Sequence, residues 1–131
     1  MPTDKPAAPR MRIVKTITFD AAHFLEADPD ARPYSRLHGH SFTMDVAVEG
    51  SPGDETGWVV DFADLAAALA DMRDALDHRL LNEIDGLERP TLENICVWAA
   101  KRLKPQFPEL VEIRVSRPSN GESCAFDARA L

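Results

Sequence analysis

Alternation of apolar and polar residues predicts two long strands in the first third of the chain. In the segment 11–24, β-branched residues are frequent and apolar side chains recur at every second position, as in a strand with one buried face. The segment 38–50 alternates in the same way, and the turn sequence 50–53 ends it. Between them, residues 25–37 contain two prolines and alternating charges, which predicts a loop.

Helical spacing of apolar residues follows the strands. Asp61 is a suitable N-cap for a helix that runs to about Leu76, and Thr91 for a second helix that Pro105 stops. On each helix, apolar residues recur three and four positions apart, which predicts one buried apolar stripe. On the first helix the stripe comprises Phe62, Leu65, Leu69, Met72 and Leu76. On the second it comprises Leu92, Ile95, Cys96, Ala99 and Leu103.

The last third of the chain predicts two further strands. Residues 111–117 alternate, residues 118–123 form a turn, and residues 124–130 form a short closing strand. The order ββααββ predicts an α+β fold, with an antiparallel four-stranded sheet and both helices packed on one face. Residues 1–10 contain three prolines and no periodicity, which predicts a flexible tail before a single domain over 11–131.

Composition narrows the class of function. The 131 residues suffice for one domain with one core, and 22 acidic against 15 basic residues give a formal net charge of -7. This charge disfavours nucleic acid or an anionic membrane surface as a partner. No apolar run is long enough to span a bilayer and the N-terminal residues do not resemble a secretory signal, so we expect a cytoplasmic protein. Cys96 and Cys124 form neither a metal-binding spacing nor a disulfide framework.

Three of the four histidines are candidate metal ligands. His23 closes the first predicted strand, and His38 and His40 open the second. Residues two apart on a strand point to the same face, so the three imidazoles converge if the two strands are neighbours. Three imidazoles suit zinc and leave a fourth position for water or substrate. The alternative is a set of strand-end histidines that hydrogen-bond to the backbone.

The fourth histidine allows two interpretations. His78 follows Asp77 at the end of the first predicted helix. A cation at a helix C-terminus interacts favourably with the helix dipole, which would be a purely structural role. Alternatively, the carboxylate orients the imidazole and the pair acts as a proton relay.

Five motifs in series resemble the 6-pyruvoyl-tetrahydropterin synthase family over about residues 11–126. They are F-D-A-A-H, R-L-H-G-H-S-F, G-W-V-V-D-F-A-D-L, L-D-H-R-L-L-N and P-T-L-E-N. Within the family, the chain looks most similar to the bacterial 6-carboxy-tetrahydropterin synthases of queuosine biosynthesis. The resemblance implies the tunnelling fold (T-fold), in which ββααββ subunits assemble into a barrel. It also implies a homohexamer with active sites between subunits.

The resemblance implies roles for five of these residues. His23, His38 and His40 would bind Zn²⁺, which coordinates the hydroxylated side chain of dihydroneopterin triphosphate and makes its C–H protons more acidic. Asp77 and His78 would activate the family's cysteine base.

One departure from the family concerns that base. The family's cysteine lies four residues before the first histidine of H-G-H, where this chain has Tyr34. A phenol, with an ordinary pKa near 10, supplies less anion at neutral pH than a thiol near 8.5. Some relatives use a glutamate, and the loop offers Glu26, Asp28 and Asp30, but none of them occupies the matching position.

A second departure concerns the pterin-binding residues. The resemblance makes Thr91 and Glu93 of P-T-L-E-N candidates for substrate binding, yet Arg117 stands where the family has a pterin-anchoring glutamate. A guanidinium has donors and no acceptor, so the pterin edge would stay unpaired unless Glu122 supplies a carboxylate. Alternatively, Arg117 binds a carboxylate or phosphate, or is an exposed strand-end residue paired with a surface acid.

The sequence therefore supports three hypotheses. The first is a zinc-dependent carbon–oxygen or carbon–carbon lyase acting on a small-molecule dihydropterin. The second is a divergent enzyme that keeps the metal and the relay but takes a different anionic substrate. The third is a non-catalytic binding protein on the hexameric scaffold.

Overall fold

A computed structural model describes residues 8–26 and 33–131. The predicted tail falls partly outside this range, and within it residues 8–10 are exposed and have no regular structure. The order of the main elements confirms the ββααββ prediction. They are β1 (Met11–His23), β2 (His38–Gly50), α1 (Phe62–Leu76), α2 (Leu92–Leu103), β3 (Leu110–Arg117) and β4 (Glu122–Asp127).

The four strands form one antiparallel sheet in the order β1-β2-β3-β4. The β1–β2 ladder runs from Met11 opposite Gly50 to His23 opposite His38. An irregularity between Ala47 and Val48 shifts the β2–β3 register near the other end of that ladder. The strand pairing is therefore regular at the end of β1 and β2 that carries the histidines.

One face of the sheet forms the core with the two helices. Phe19 and Phe42 stack across β1 and β2 with ring centroids 5.0 Å apart. On β3, every second residue faces the same core, and Ile113 and Val115 are buried there. The helices cover this face with their buried residues, among them Leu65, Leu69, Met72, Ile95 and Leu103.

The caps confirm both predicted helix starts. Asp61 accepts a hydrogen bond from the Ala63 N–H at 2.8 Å, and Thr91 accepts one from the Asn94 N–H at 3.1 Å. Phe62 is an exception to the predicted stripe because its side chain is 48% exposed. It occupies the first helical position, and the buried part of α1 begins one turn later at Leu65.

The predicted boundary of the last strand is wrong at both ends. Residues Pro118–Asn120 form a single 3-10 turn, Gly121 takes a left-handed conformation with φ of +67°, and β4 begins at Glu122. At the other end, residues 128–130 form another 3-10 turn, and the Asp127 side chain accepts a hydrogen bond from the Arg129 N–H. Because the hairpin turn is tighter than predicted, Glu122 belongs to the sheet.

No helix among the described residues has the length and apolar character that a bilayer crossing requires.

Candidate active site

His23, His38 and His40 converge at one end of the sheet. In the β1–β2 register His23 lies opposite His38, and Ala21 lies opposite His40. The Nε2 atoms of His23 and His38 are 3.1 Å apart, and one ring nitrogen from each of the three histidines lies within 4.8 Å of the others. The neighbouring strands therefore bring together the three residues that the sequence predicted as metal ligands.

Backbone carbonyls orient two of the imidazoles. His23 Nδ1–H donates to the Pro90 carbonyl at 2.8 Å, and His38 Nδ1–H donates to the Arg36 carbonyl at 2.5 Å. This tautomer leaves the Nε2 lone pairs of both rings facing the centre of the cluster. The third imidazole, His40, has a buried Nε2 with no hydrogen-bond partner among the described residues.

The surroundings of His23 and His40 disfavour protonation of these two imidazoles. Burial lowers the pKa of His23 to about 4, although its hydrogen bond to Pro90 opposes the shift and nearby positive groups add to it. Burial also lowers the pKa of His40, and the Arg117 guanidinium contributes to that shift. Both imidazoles are therefore unprotonated at neutral pH, which is the form that binds a metal.

The donor set fits zinc. Two imidazole nitrogens bound to one tetrahedral Zn²⁺ at about 2.0–2.1 Å lie roughly 3.3 Å apart, close to the observed separation of 3.1 Å. Because Nδ1–H of both rings donates to a backbone carbonyl, both Nε2 atoms can offer a lone pair to one cation. His40 Nε2, which is buried and has no hydrogen-bond partner in the described part of the chain, would be the third donor.

Arg117, Glu122 and Tyr34 form a polar group beside the histidines. The Arg117 side chain is only 9% exposed, and its Nε lies 3.1 Å from Glu122 Oε1 without hydrogen-bond geometry. Tyr34 donates to Glu122 Oε2 at 3.2 Å, and Asn120 Nδ2 donates to Oε1 at 3.3 Å. The interpretation of Arg117 as an exposed surface residue is wrong, because it continues the buried side of β3.

Glu122 is held as a carboxylate. Desolvation opposes its ionisation, but Arg117, followed by Asn120 and Tyr34, outweighs this effect and lowers its pKa below the usual value. The site therefore contains one negative group, Glu122, and one positive group, Arg117, near the three imidazoles.

Asp77 orients His78 just after α1. Asp77 Oδ1 accepts from the Asp20 N–H at 2.9 Å, and its Oδ2 accepts from His78 Nδ1–H at 2.9 Å. These two donors, the Asp20 amide first, lower the Asp77 pKa. His78 has φ of +57° and a side chain that is 79% exposed, so its Nε2 is open to a ligand. Such backbone strain in a non-glycine residue is frequent at functional sites.

Two surface depressions meet at His40. An open depression of about 570 Å³ is lined by His40 and His78, together with Asp20 and Ser41. A second, of about 320 Å³, is lined by Tyr34, His38 and His40. The histidine cluster therefore contacts both the Asp77–His78 side and the Tyr34 side of the molecule.

Other predicted site residues have no described hydrogen bond to the histidine cluster. The described contacts of Thr91 are those of a helix cap, and Glu93 is exposed on the first turn of α2. Glu26 lines a different depression, which Thr91 shares, while Asp28 and Asp30 lie outside the described residues. Substrate binding by Thr91 and Glu93 stays a prediction.

The structure adds three positioning groups that sequence reasoning missed. The carbonyl groups of Pro90 and Arg36 orient two histidines, and the Asp20 amide orients Asp77. All three lie within or beside the motifs noted above, but backbone groups carry no residue-type signal.

Comparisons with known proteins agree with this geometry. The family model described as 6-pyruvoyl tetrahydropterin synthase matches residues 12–129. A 6-carboxy-5,6,7,8-tetrahydropterin synthase from Synechocystis sp. is 41% identical, covering 89% of this chain and 90% of that protein. A dihydroneopterin monophosphate aldolase from Pyrococcus furiosus is 35% identical, covering 80% and 85%. The solved structure of Caenorhabditis elegans 6-pyruvoyl tetrahydropterin synthase superposes with a TM-score of 0.80 at 24% identity, covering 92% and 96%.

Proposed function

Because the chain belongs to the 6-pyruvoyl tetrahydropterin synthase family, we propose that it is a zinc-dependent lyase. Its substrate would be a dihydropterin with a hydroxylated side chain, such as dihydroneopterin triphosphate. The observation that carries this proposal is the convergence of His23, His38 and His40, whose ring nitrogens lie within 4.8 Å of one another. One of these histidines, His40, lines the same depression as His78, which supports a role for both in one site. Homologues that are named as synthases or as an aldolase support a pterin lyase in particular.

His23, His38 and His40 would hold the zinc through their Nε2 atoms. When bound, the metal acts as a Lewis acid toward the oxygens of the substrate side chain and so acidifies the neighbouring C–H bonds. The low pKa of His23 keeps this ligand available well below neutral pH. The carbonyl groups of Pro90 and Arg36 hold the rings in the required tautomer.

His78 would take part in proton transfer. Its Nδ1–H donates to Asp77, so the lone pair of the neutral ring is on Nε2, and the exposed side chain lines the open depression. When Nε2 accepts a proton, the Asp77 carboxylate stabilises the imidazolium that results. Arg73, 3.4 Å from Asp77, and the Asp20 amide keep that carboxylate in place.

Tyr34 occupies the position of the family's cysteine, on the other side of the cluster. Its hydroxyl donates to Glu122, so a proton that reaches Tyr34 has a carboxylate acceptor within hydrogen-bond distance. We assign Tyr34 a secondary role because His78 has the better-defined acceptor atom.

Metal analysis tests the ligand assignment. Purified protein is expected to bind one zinc per chain, and His38→Asn is expected to lose it. His78→Asn is the matched control, because this histidine lies outside the cluster and its variant should retain the metal. Full zinc content in His38→Asn would contradict the assignment.

Turnover tests the reaction. Zinc-loaded protein is incubated with dihydroneopterin triphosphate and, separately, dihydroneopterin monophosphate, and mass spectrometry is used to detect a new pterin. Product from the wild type, and none from His78→Asn, supports the proposal. Turnover only by the double variant Tyr34→Cys with Arg117→Glu would contradict it and indicate that the wild type has a different substrate.

A further inference from the structure

Asp20 lies between the histidine cluster and the Asp77–His78 pair. It is on β1, three residues before His23, and it lines the open depression together with His78. Because β1 is an edge strand, every second residue directs its backbone N–H and C=O groups away from the sheet. Asp20 is one of these residues, and both of its backbone groups bind the segment that follows α1.

The backbone of Asp20 holds both members of the Asp77–His78 pair. Its N–H donates to Asp77 Oδ1 at 2.9 Å, and its carbonyl accepts from the His78 N–H at 2.6 Å. His78 has φ of +57°, and a residue other than glycine keeps this conformation only where its surroundings support it. Further along β1, the Ala22 N–H donates to the Arg79 carbonyl at 2.9 Å. The pair is therefore attached to the free edge of β1.

The side chain of Asp20 is held by Ser41. The two residues are opposite each other in the β1–β2 register, and the Ser41 hydroxyl donates to Asp20 Oδ1 at 2.6 Å. Hydrogen bonds of this length to a carboxylate are among the stronger ones in proteins. Ser41 directly follows His40, so this bond joins Asp20 to the part of β2 that carries two of the proposed metal ligands.

We propose, building on the proposed function, that Asp20 is a positioning residue for the proton relay and that Ser41 holds it in place. The Ser41 hydroxyl fixes the side chain of Asp20 and, with it, the direction of the Asp20 backbone groups. These groups set the orientation of Asp77 and of the His78 backbone relative to the histidine cluster. This role requires a hydrogen-bond acceptor at position 20, not a negative charge.

The tautomer of His78 provides a test that does not depend on turnover. Nitrogen NMR of isotope-labelled histidine is recorded on zinc-loaded protein in alkaline buffer, and His78→Asn identifies the His78 signals. The wild type should show a single Nδ1–H tautomer, because Asp77 accepts that hydrogen. Asp20→Ala and Ser41→Ala should shift His78 toward a mixture of both tautomers, because Asp77 is then less firmly oriented.

Thr16→Val is the matched control. Thr16 on β1 donates to Asp45 Oδ1 on β2 at 2.6 Å, so this variant removes a cross-strand hydrogen bond of the same kind and length. Neither residue lines the open depression. The His78 spectrum and kcat of Thr16→Val should match those of the wild type.

Kinetics test the same assignment in the working enzyme. Asp20→Ala and Ser41→Ala should each lower kcat by roughly tenfold with the zinc content unchanged, because a small misplacement of a reacting group is costly. Asp20→Asn keeps an oxygen acceptor for Ser41 and should recover most of this loss. In the Asp77→Asn background, Asp20→Ala should change kcat by less than about twofold, because its effect passes through Asp77.

Three outcomes would overturn the assignment. Equal loss of kcat in Asp20→Asn and Asp20→Ala would show that the charge of Asp20 is what matters. Similar losses in Thr16→Val and Ser41→Ala would indicate a general effect of strand pairing. An unchanged His78 tautomer in both Asp20→Ala and Ser41→Ala would refute positioning.

Failure of the proposed function gives a different result. If the zinc-loaded wild type turns over no pterin, the lyase is contradicted, while the tautomer of His78 still decides the role of Asp20. Thermal midpoints are measured for every variant. If Asp20→Ala does not fold, Ser41→Ala decides the outcome, because it removes the same hydrogen bond from the other strand.

Discussion

At the scale of single residues, His23 shows how burial prepares a side chain for chemistry. It has no exposed surface, donates one hydrogen bond to Pro90, and has its pKa lowered to about 4. The neighbouring groups His38, His40 and Arg117 all disfavour a second positive charge there. The imidazole of His23 therefore stays unprotonated at neutral pH, and its free nitrogen can bind a metal cation instead of a proton.

The metal-free protein should therefore lose stability in acid. The unfolded chain takes up a proton at His23 near pH 6.5, whereas the folded chain does so only near pH 4. The contribution of His23 to the unfolding free energy is therefore complete above pH 6.5 and is lost as the pH falls toward 4. The loss is on the order of 3 kcal/mol. Urea unfolding of chelator-treated protein at pH 7, 5.5 and 4 measures it.

His23→Gln isolates this contribution from the carboxylates that titrate in the same range. The variant should show a shallower fall in unfolding free energy between pH 6.5 and 4 than the wild type. Parallel curves for the two proteins would show that His23 is not the group responsible.

Asp77 offers a second prediction at this scale. Asp77→Asn removes the charge that stabilises a protonated His78, so we expect kcat to fall by about 10²–10⁴-fold with the zinc content unchanged. Asp74→Asn, an exposed position on the same helix, is the control and should retain activity. Steady-state kinetics with metal analysis distinguishes this effect from loss of the metal. A fall of less than about twofold would exclude the relay.

At the scale of secondary structure, the helix caps and alternating strands follow from local sequence. Asp61 and Thr91 begin the two helices, and β1 and β2 start and end within a residue of their predicted limits. The predictions failed where an element end depends on its neighbours. β4 extends to Glu122 because Pro118–Asn120 turn tightly enough for Glu122 to pair with Arg117.

The start of α2 should couple stability to the metal site. Thr91 caps α2 directly after Pro90, whose carbonyl holds His23. Thr91→Ala should cost about 1 kcal/mol of unfolding free energy and weaken zinc binding roughly tenfold. Asp61→Ala removes the equivalent cap of α1 and should cost a similar amount with zinc affinity unchanged. Equal zinc affinities in the two variants would argue against this coupling.

At the scale of the whole molecule, the four-stranded sheet has one covered face and two edges. β1 and β4 are the edge strands, and Met11 and Val14 on β1 are 49% and 47% exposed. Open edges of this length promote association with other strands. Pairing of the edges between copies would satisfy the backbone groups of both strands and is the arrangement implied by the T-fold.

We therefore expect a homohexamer. Sedimentation velocity at tens of micromolar should give a mass about six times the 14.5 kDa of one chain. Dilution that dissociates the assembly should lower turnover in parallel, because exposed His78 would then lose any neighbouring subunit that covers it. A 14.5 kDa species with full activity would contradict this expectation.

The sequence by itself determined the element order, the helix caps and the candidate metal ligands. Periods of two and of about 3.6 residues arise from backbone geometry, so they can be recognised without knowing the fold. His38 and His40 share a face for the same local reason, and the motif series identified the family that the comparisons show.

Only the tertiary structure decided the environment of Arg117. Arg117 is buried because it lies on the inward-facing side of β3. Its position opposite Glu122 depends on the β3–β4 hairpin. The hydrogen bond between Glu122 and Tyr34 joins residues 88 positions apart. The pKa values of His23 and Glu122 depend on the same assembly. Long-range contacts set burial and charge compensation, and no local sequence pattern encodes which distant side chain will supply them.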